Sequence, residues 1–458
     1  MHTTTSPLAT GLRDHGFVGR LAEPGDADYD EARAGWNGAI DRLPAAVAFA
    51  NDADDVAAAI RAARGAGLAF TVRGGGHSVS GRSVRDGALC IDLRALNGVE
   101  VDPRGAVVRV GGGALLSELD EATQEHGLAV PGGQISHTGV GGLTLGGGIG
   151  WLMRHHGLTI DSLLAAEVVL ADGEIVRASA DEHADLFWAL RGGGGEFGVV
   201  TRFEFRAHRV GPIVLGGMLV YPWEEARAVF QATRELMTGA PDALTAFAVL
   251  VTAPPQPPFP AEHHGRPVAV VAVAWTGDPD EGERVLAPLR AGCPPLVDLV
   301  APMPYVALQS MLDETAPHGR RYYDKLHYLS EVSDAFIDAL LAGFAEVPTP
   351  HTHVMTSWMG GAIDRVAPGD TAFGHRGARA FTWLIGCSGD DPVEPAADWV
   401  RRVFDATAPF ASAGVYVNAL DDGRPVRDAY TDEVWARLVA VKRRYDPDAV
   451  FDAHGIRP

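Results

Sequence analysis

The stretch "FTVRGGGHSVSG", residues 70–81, decides how the rest of this 458-residue chain is read. Phe70, Thr71 and Val72 are strand formers, and they run directly into Gly74-Gly75-Gly76. Three glycines in a row leave successive backbone N–H groups uncovered by side chains, which makes a concave nest for an anion such as a pyrophosphate. Arg73 would add a fixed positive charge, and His77 would stand at the rim. A nucleotide cofactor fits this pattern. A plain glycine turn beside a surface histidine fits it too, so the flanking sequence has to choose.

Upstream, "AVAFA" and then "DADDVAAAIRAARGAG" read as a strand and a helix that opens on acidic residues, so residues from about Val47 to His77 read as a βαβ-like start. Downstream, "ALCIDL", "GVEVD" and "AVVRVGGG" are short strands, and "ALLSELDEATQEHGL" is an amphipathic helix closed by Gly127. A second glycine cluster follows in "PGGQISHTGVGGLTLGGGIGWL". Between Gly139 and Gly150 it alternates glycine with Val, Leu, Thr and Ile, which suits a narrow apolar slot with backbone amides along one edge. A flat, largely apolar ring system would fit there. A solvent loop of equal glycine content would carry more Ser, Asn and Asp. "LLAAEVVLADGEIVRAS" then reads as a hairpin turning at Asp172-Gly173.

A third cluster holds a literal G-x-G-x-x-G at Gly193, Gly195 and Gly198. A dinucleotide fingerprint needs a strand before it and a helix after it. Here the helix-like "DLFWALR" precedes and the strand-like "VVTRFEF" follows, so that reading is rejected. Beyond Val210 the glycine clusters stop. "GGMLVY", "LTAFAVLVTA", "PVAVVAVAW", "YYDKLHYL", "HVMTSWMGG" and "RAFTWLIGCS" alternate with helical stretches, as in an antiparallel sheet backed by helices. The Pro-rich "APPQPPFPAEHHGRP" reads as an exposed loop. The tail reads as a strand, "GVYVNAL", and a helix ending before Asp446-Pro447.

The formal charge of −21 disfavours nucleic acid and anionic membrane surfaces. Three scattered cysteines, Cys90, Cys293 and Cys387, make neither a disulfide framework nor a zinc site. The paired histidines 155–156 and 263–264 lack a third ligand, so no metal is expected. With no signal-like or spanning apolar run, the expected location is cytoplasmic.

Taken in order, the three glycine clusters and "YVNAL…RLVAVKRRYDPDAVF" resemble the berberine bridge enzyme-like family of the vanillyl-alcohol-oxidase superfamily. The similar branch is bacterial and includes 6-hydroxynicotine oxidases, sugar oxidases and tailoring oxidases of secondary metabolism. The resemblance implies an α+β, two-domain flavoprotein. Residues 1–211 and 411–458 would form the FAD-binding domain, and 212–410 a substrate domain with an antiparallel sheet backed by helices. It implies FAD bound by Arg73, Gly74, Gly75, Gly76, His77, Ser78, Thr138, Gly139, Gly141, Gly142, Thr144, Gly148, Gly198, Val200, Tyr416 and Asn418. His77 matches the histidine that bonds the flavin 8α carbon. Ile135 stands where many relatives carry a second, cysteinyl anchor, so a single covalent link is expected. Thr138 matches a small residue associated with oxygen access, which favours an oxidase.

The family's Tyr-x-Asn-Tyr is Tyr416-Val417-Asn418-Ala419 here, so the usual tyrosine base is missing. Tyr416, His327, Tyr323 and His353 are the candidate replacements. The implied reaction passes hydride from a small-molecule C–H bearing OH or NH to flavin N5, with molecular oxygen as acceptor and hydrogen peroxide as product. The alternative is a non-redox cyclisation of a natural-product intermediate on the same scaffold.

Overall fold

A computed structural model describes residues 6–420 and 423–458. The βαβ start forms around the helix Ala53–Gly65, which Asp52 caps by accepting the Asp55 N–H at 2.8 Å. Its crossover leaves Ala46–Phe49 and Phe70–Arg73 parallel to Leu89–Asp92, which lies between them. Arg20–Ala22 completes this four-stranded sheet at the edge beside Ala46–Phe49.

A second, antiparallel sheet of five strands runs in the order Val99–Asp102, Val107–Gly111, Val199–Arg206, Leu163–Val169, Ile175–Ser179. Its last two strands make the expected hairpin, with Gly173 at φ +84° in the turn. The second glycine cluster departs from an open loop. Val140–Gly146 is a short helix, and the backbone turns sharply at Gly147 and Gly148, both at positive φ.

Residues 213–387 supply an antiparallel sheet of eight strands. Its central order is Ile213–Pro222, Pro267–Trp275, Leu244–Thr252, His353–Trp358, Ala380–Cys387, Tyr322–Leu329. One face packs on helices: Phe336, Ile337, Leu340, Trp399 and Val400 meet Leu250, Val271 and Leu384 in one core. The opposite face turns toward the glycine clusters. Period-two alternation along each strand therefore decides which residues reach the cavity between.

At the C-terminus the expected strand "GVYVNAL" is instead a 3-10 turn, Val417–Ala419. The helix Asp432–Tyr445 does end before Asp446-Pro447 and carries Lys442 into the interior. Lys442 is fully buried between Glu196 and Asp446, at 3.1 and 2.8 Å. Glu196 in turn accepts the N–H of Gly455 at 3.0 Å, which ties the tail to the third glycine cluster.

Candidate active site

The first two glycine clusters meet backbone to backbone. A Cβ on Gly75 would lie 2.4 Å from the Gly139 nitrogen, and one on Gly139 would lie 2.3 Å from the Gly75 nitrogen. Only glycine allows this crossing, and it builds one wall of a cavity of about 890 Å³. That volume lies near the top of the roughly 300–1,000 Å³ range of small-molecule sites. Beyond the crossing, the N–H groups of Gly75, Gly76, His77, Ser78 and Val79 donate to no acceptor among the described residues. These adjacent N–H groups are available to an anion.

Gly74, Gly75, Gly76, His77, Ser78, Thr138, Gly139, Gly141, Gly142, Gly198, Val200, Tyr416 and Asn418 all line this cavity. Arg73 does not. It is buried beneath the loop, where Nε donates to Asp92 at 2.6 Å and Nη1 to the Ala34 carbonyl at 3.1 Å, so its charge is spent on a structural pair. Arg82 lines the cavity in its place. Thr144 and Gly148 also lie off the lining. Thr144 is buried in its helix, and the Gly148 N–H donates to the Tyr416 hydroxyl at 3.1 Å.

His77 ends an aromatic stack at the cavity edge. Trp36 stacks on it at 4.3 Å and 18°, and Tyr322 stacks on Trp36 at 3.8 Å. Its Nε2 lies 3.1 Å from Nδ1 of His137, a residue the sequence reading passed over. Burial, reinforced by His137 and His318, pushes the His77 pKa down to about 3, so the ring is neutral at physiological pH. Ile135 lines the cavity, and none of the three cysteines does.

The sheet wall is mostly apolar, with Met218, Val249, Val270, Met355, Trp383 and Ile385 facing in. Two titratable side chains share one cross-strand row on it, because Asp324 and His353 both pair with Ile385. At about 4.8 Å per strand they stand roughly 10 Å apart. Asp324 is buried and accepts the Trp383 Nε1–H at 2.6 Å. His353 Nδ1 lies 3.1 Å from the His351 carbonyl, which makes Nδ1 the donor and leaves Nε2 as acceptor. Burial lowers the His353 pKa, so this ring too is neutral.

The other two sheet candidates have the wrong parity. Tyr323 packs with the helix-side core under Arg401, and His327 stacks on Phe404 at 3.7 Å with Nε2 on its carbonyl at 3.0 Å. Both face away from the cavity. The Tyr416 hydroxyl receives N–H groups from Gly148 and from Asn418 at 3.0 Å, yet burial raises its pKa above 10. It is a buried hydrogen-bond centre rather than a base near neutrality.

The cavity fits an FAD by its own chemistry. Thr71 Oγ1, Gln134 Nε2 and His454 Nδ1 line it and are buried without a partner, which is costly unless a polar ligand satisfies them. The free N–H nest suits a pyrophosphate, and the glycine wall opposite an apolar sheet suits a flat ring. A fold and cavity of this kind define an FAD-linked oxidoreductase.

Residues 44–179 match the FAD binding domain family, and residues 415–456 the "Berberine and berberine like" family. The chain belongs to the berberine bridge enzyme-like family of FAD-linked oxidoreductases. It is 30% identical to (R)-6-hydroxynicotine oxidase of Paenarthrobacter nicotinovorans, over 98% of this chain and 97% of that one. The solved 6-hydroxy-D-nicotine oxidase of Arthrobacter nicotinovorans superposes with a TM-score of 0.86 at 27% identity, covering 99% of both chains. Glucooligosaccharide oxidase of Acremonium strictum, solved to study its 6-S-cysteinyl, 8α-N1-histidyl FAD, superposes at 0.86 with 24% identity over 99% of both, a likeness of fold.

Proposed function

We propose that this protein is an oxidase of a small, largely apolar alcohol or amine, with FAD carried on His77 by a single covalent bond and molecular oxygen as electron acceptor. The observation that carries this reading is the cavity itself: a glycine wall with an unpaired N–H nest, opposite an apolar sheet bearing two proton acceptors. Residues 75–79 would hold the pyrophosphate, and Gly139, Gly141 and Gly142 the ring. A bound flavin supplies a two-electron acceptor at N5 that oxygen can reoxidise. The buried, neutral His77 at the rim supports attachment there, as does a solved relative with a histidyl FAD. Ile135 supports a single link, because it offers no thiol.

The sheet does the proton work in this reading. His353 Nε2 accepts the proton from the substrate O–H or N–H as the carbon gives up hydride, which takes over the role lost at Ala419. Asp324, fixed by the Trp383 indole, holds the same polar group from the other side of Ile385. The apolar lining speaks for a compact hydrophobic substrate over an oligosaccharide, which needs a polar groove. Two acceptors on the wall also favour redox turnover over a cyclisation.

The test is anaerobic mixing with candidate alcohols and amines, followed at the flavin absorbance band. Bleaching on mixing and hydrogen peroxide on admitting air are the expected results. Product formed without bleaching would refute the redox reading.

A further inference from the structure

His77 is not the only histidine at the cavity edge. His137 Nδ1 faces its Nε2 at 3.1 Å, and the His318 ring lies 4.7 Å from that of His137. Among the described residues no group of three such side chains has metal-holding geometry, so the close nitrogen pair is read as a hydrogen bond. Two neutral imidazoles sharing one contact must divide the roles, one donating and the other accepting.

One division suits attachment through His77. Ser136, next to His137, donates its N–H to Asp313 Oδ1 at 2.8 Å and its hydroxyl to Asp313 Oδ2 at 2.5 Å, which docks this loop on Asp313–Thr315. Burial lowers the His137 pKa, so this ring is neutral like that of His77. With Nδ1 turned toward His77, a His137 protonated on Nε2 presents Nδ1 as the acceptor. His77 then donates through Nε2 and keeps a free lone pair on Nδ1. Its plane is fixed meanwhile by Trp36, whose indole N–H donates to the Ala316 carbonyl at 2.7 Å.

We propose that His137 is a positioning base for flavin attachment, taking the Nε2 proton of His77 while Nδ1 of His77 bonds the flavin 8α carbon. The step balances as follows. The 8α carbon loses one C–H proton to solvent and gains the C–N bond. The electron pair of that C–H bond passes to the ring system, from which dioxygen removes two electrons and becomes hydrogen peroxide. The proton taken by His137 leaves to solvent. This inference rests on the reading that His77 carries the cofactor.

The experiment incubates apoprotein with FAD in air and follows flavin retained after acid precipitation. Wild type should attach fully, with peptide analysis locating the link on Nδ1. His137→Ala should still bind FAD one to one but attach it about 100-fold more slowly, the low end of what a general base supplies. Added imidazole should restore much of the rate. His137→Phe, which keeps a ring and loses the nitrogens, takes its place if the alanine variant binds no FAD. A variant attaching at the wild-type rate, a slow variant indifferent to imidazole, or a link at Nε2 would overturn the assignment. Wild type releasing all its flavin in acid would instead overturn covalent attachment itself, and this proposal with it.

Discussion

Gly142→Ala should move stability and cofactor affinity in opposite directions. Gly142 lies inside the helix Val140–Gly146, and a Cβ built on it meets nothing within 4 Å, because it points into the cavity. In the apoprotein the change removes a helix-interior glycine and should stabilise by about 0.5–1 kcal/mol. With FAD bound, the same methyl would stand in the wall against which the ring packs. An inserted methyl in a packed site costs about 1–3 kcal/mol, which is a rise in Kd of roughly 5- to 150-fold. The measurement belongs in a His77→Ala background, where binding is reversible and titration of the apoprotein with FAD gives Kd directly. Gly75→Ala is the contrasting variant: its Cβ would strike backbone at 2.4 Å, so it should lose apoprotein stability and FAD affinity together. An unchanged Kd for Gly142→Ala would refute the assignment of this wall to the flavin ring.

Three further outcomes follow from buried charge. Lys442→Met leaves Glu196 and Asp446 buried without their cation and should cost about 3–5 kcal/mol in denaturant unfolding; a loss under about 1 kcal/mol would show that the triad does not anchor the tail. Acid should destabilise the fold early, because burial lowers the pKa of His77, His156 and His454 to about 3 and of His208 to about 4. Depressed histidine values mean that the unfolded chain takes up protons first, so this stability is intact above pH 6.5 and declines below it, by up to about 2 kcal/mol per ring at pH 5. Unfolding midpoints that stay flat from pH 7.5 to pH 5 would contradict that. Asp120 is the opposite case: burial raises its pKa to about 7, so its penalty grows from pH 3.8 upward and is complete above pH 7. Asp120→Asn should therefore stabilise by up to about 4 kcal/mol at pH 8 and by nothing near pH 3, whereas a gain independent of pH would point to packing instead.

How far the site could be read in advance depended on how local each constraint is. The glycine wall was legible because a nest or a close backbone approach is written in consecutive residues, as at Gly74-Gly75-Gly76. Arg73 misled for the complementary reason. Its partner Asp92 lies on the neighbouring parallel strand, and a motif read by itself shows only a cation beside a nest. Two of the three sheet candidates, Tyr323 and His327, failed by parity. In "YYDKLHYL" the strand itself was plain, but which alternate set faces the cavity depends on where Glu394–Thr407 packs, and one choice moves every side chain to the other face. Tyr323 and His327 fell on the helix side, whereas Tyr322 and Asp324 fell on the cavity side.

The same parity argument sharpens what Ala419 means. "GVYVNAL" is a 3-10 turn, so the end of the chain closes the cavity with the paired Tyr416 hydroxyl and Asn418 amide and offers no free base. In the proposed reaction, proton acceptance falls to the facing row, which holds Asp324 and His353, separated by Ile385. His353→Gln and Asp324→Asn distinguish their parts. The first should lower kcat by roughly 10²- to 10⁴-fold with little change in KM, as loss of a proton acceptor does. The second should act mainly on KM, as loss of a ground-state contact does. If Asp324→Asn alone collapses kcat while His353→Gln turns over normally, the base is the carboxylate, and the two roles assigned across Ile385 are reversed.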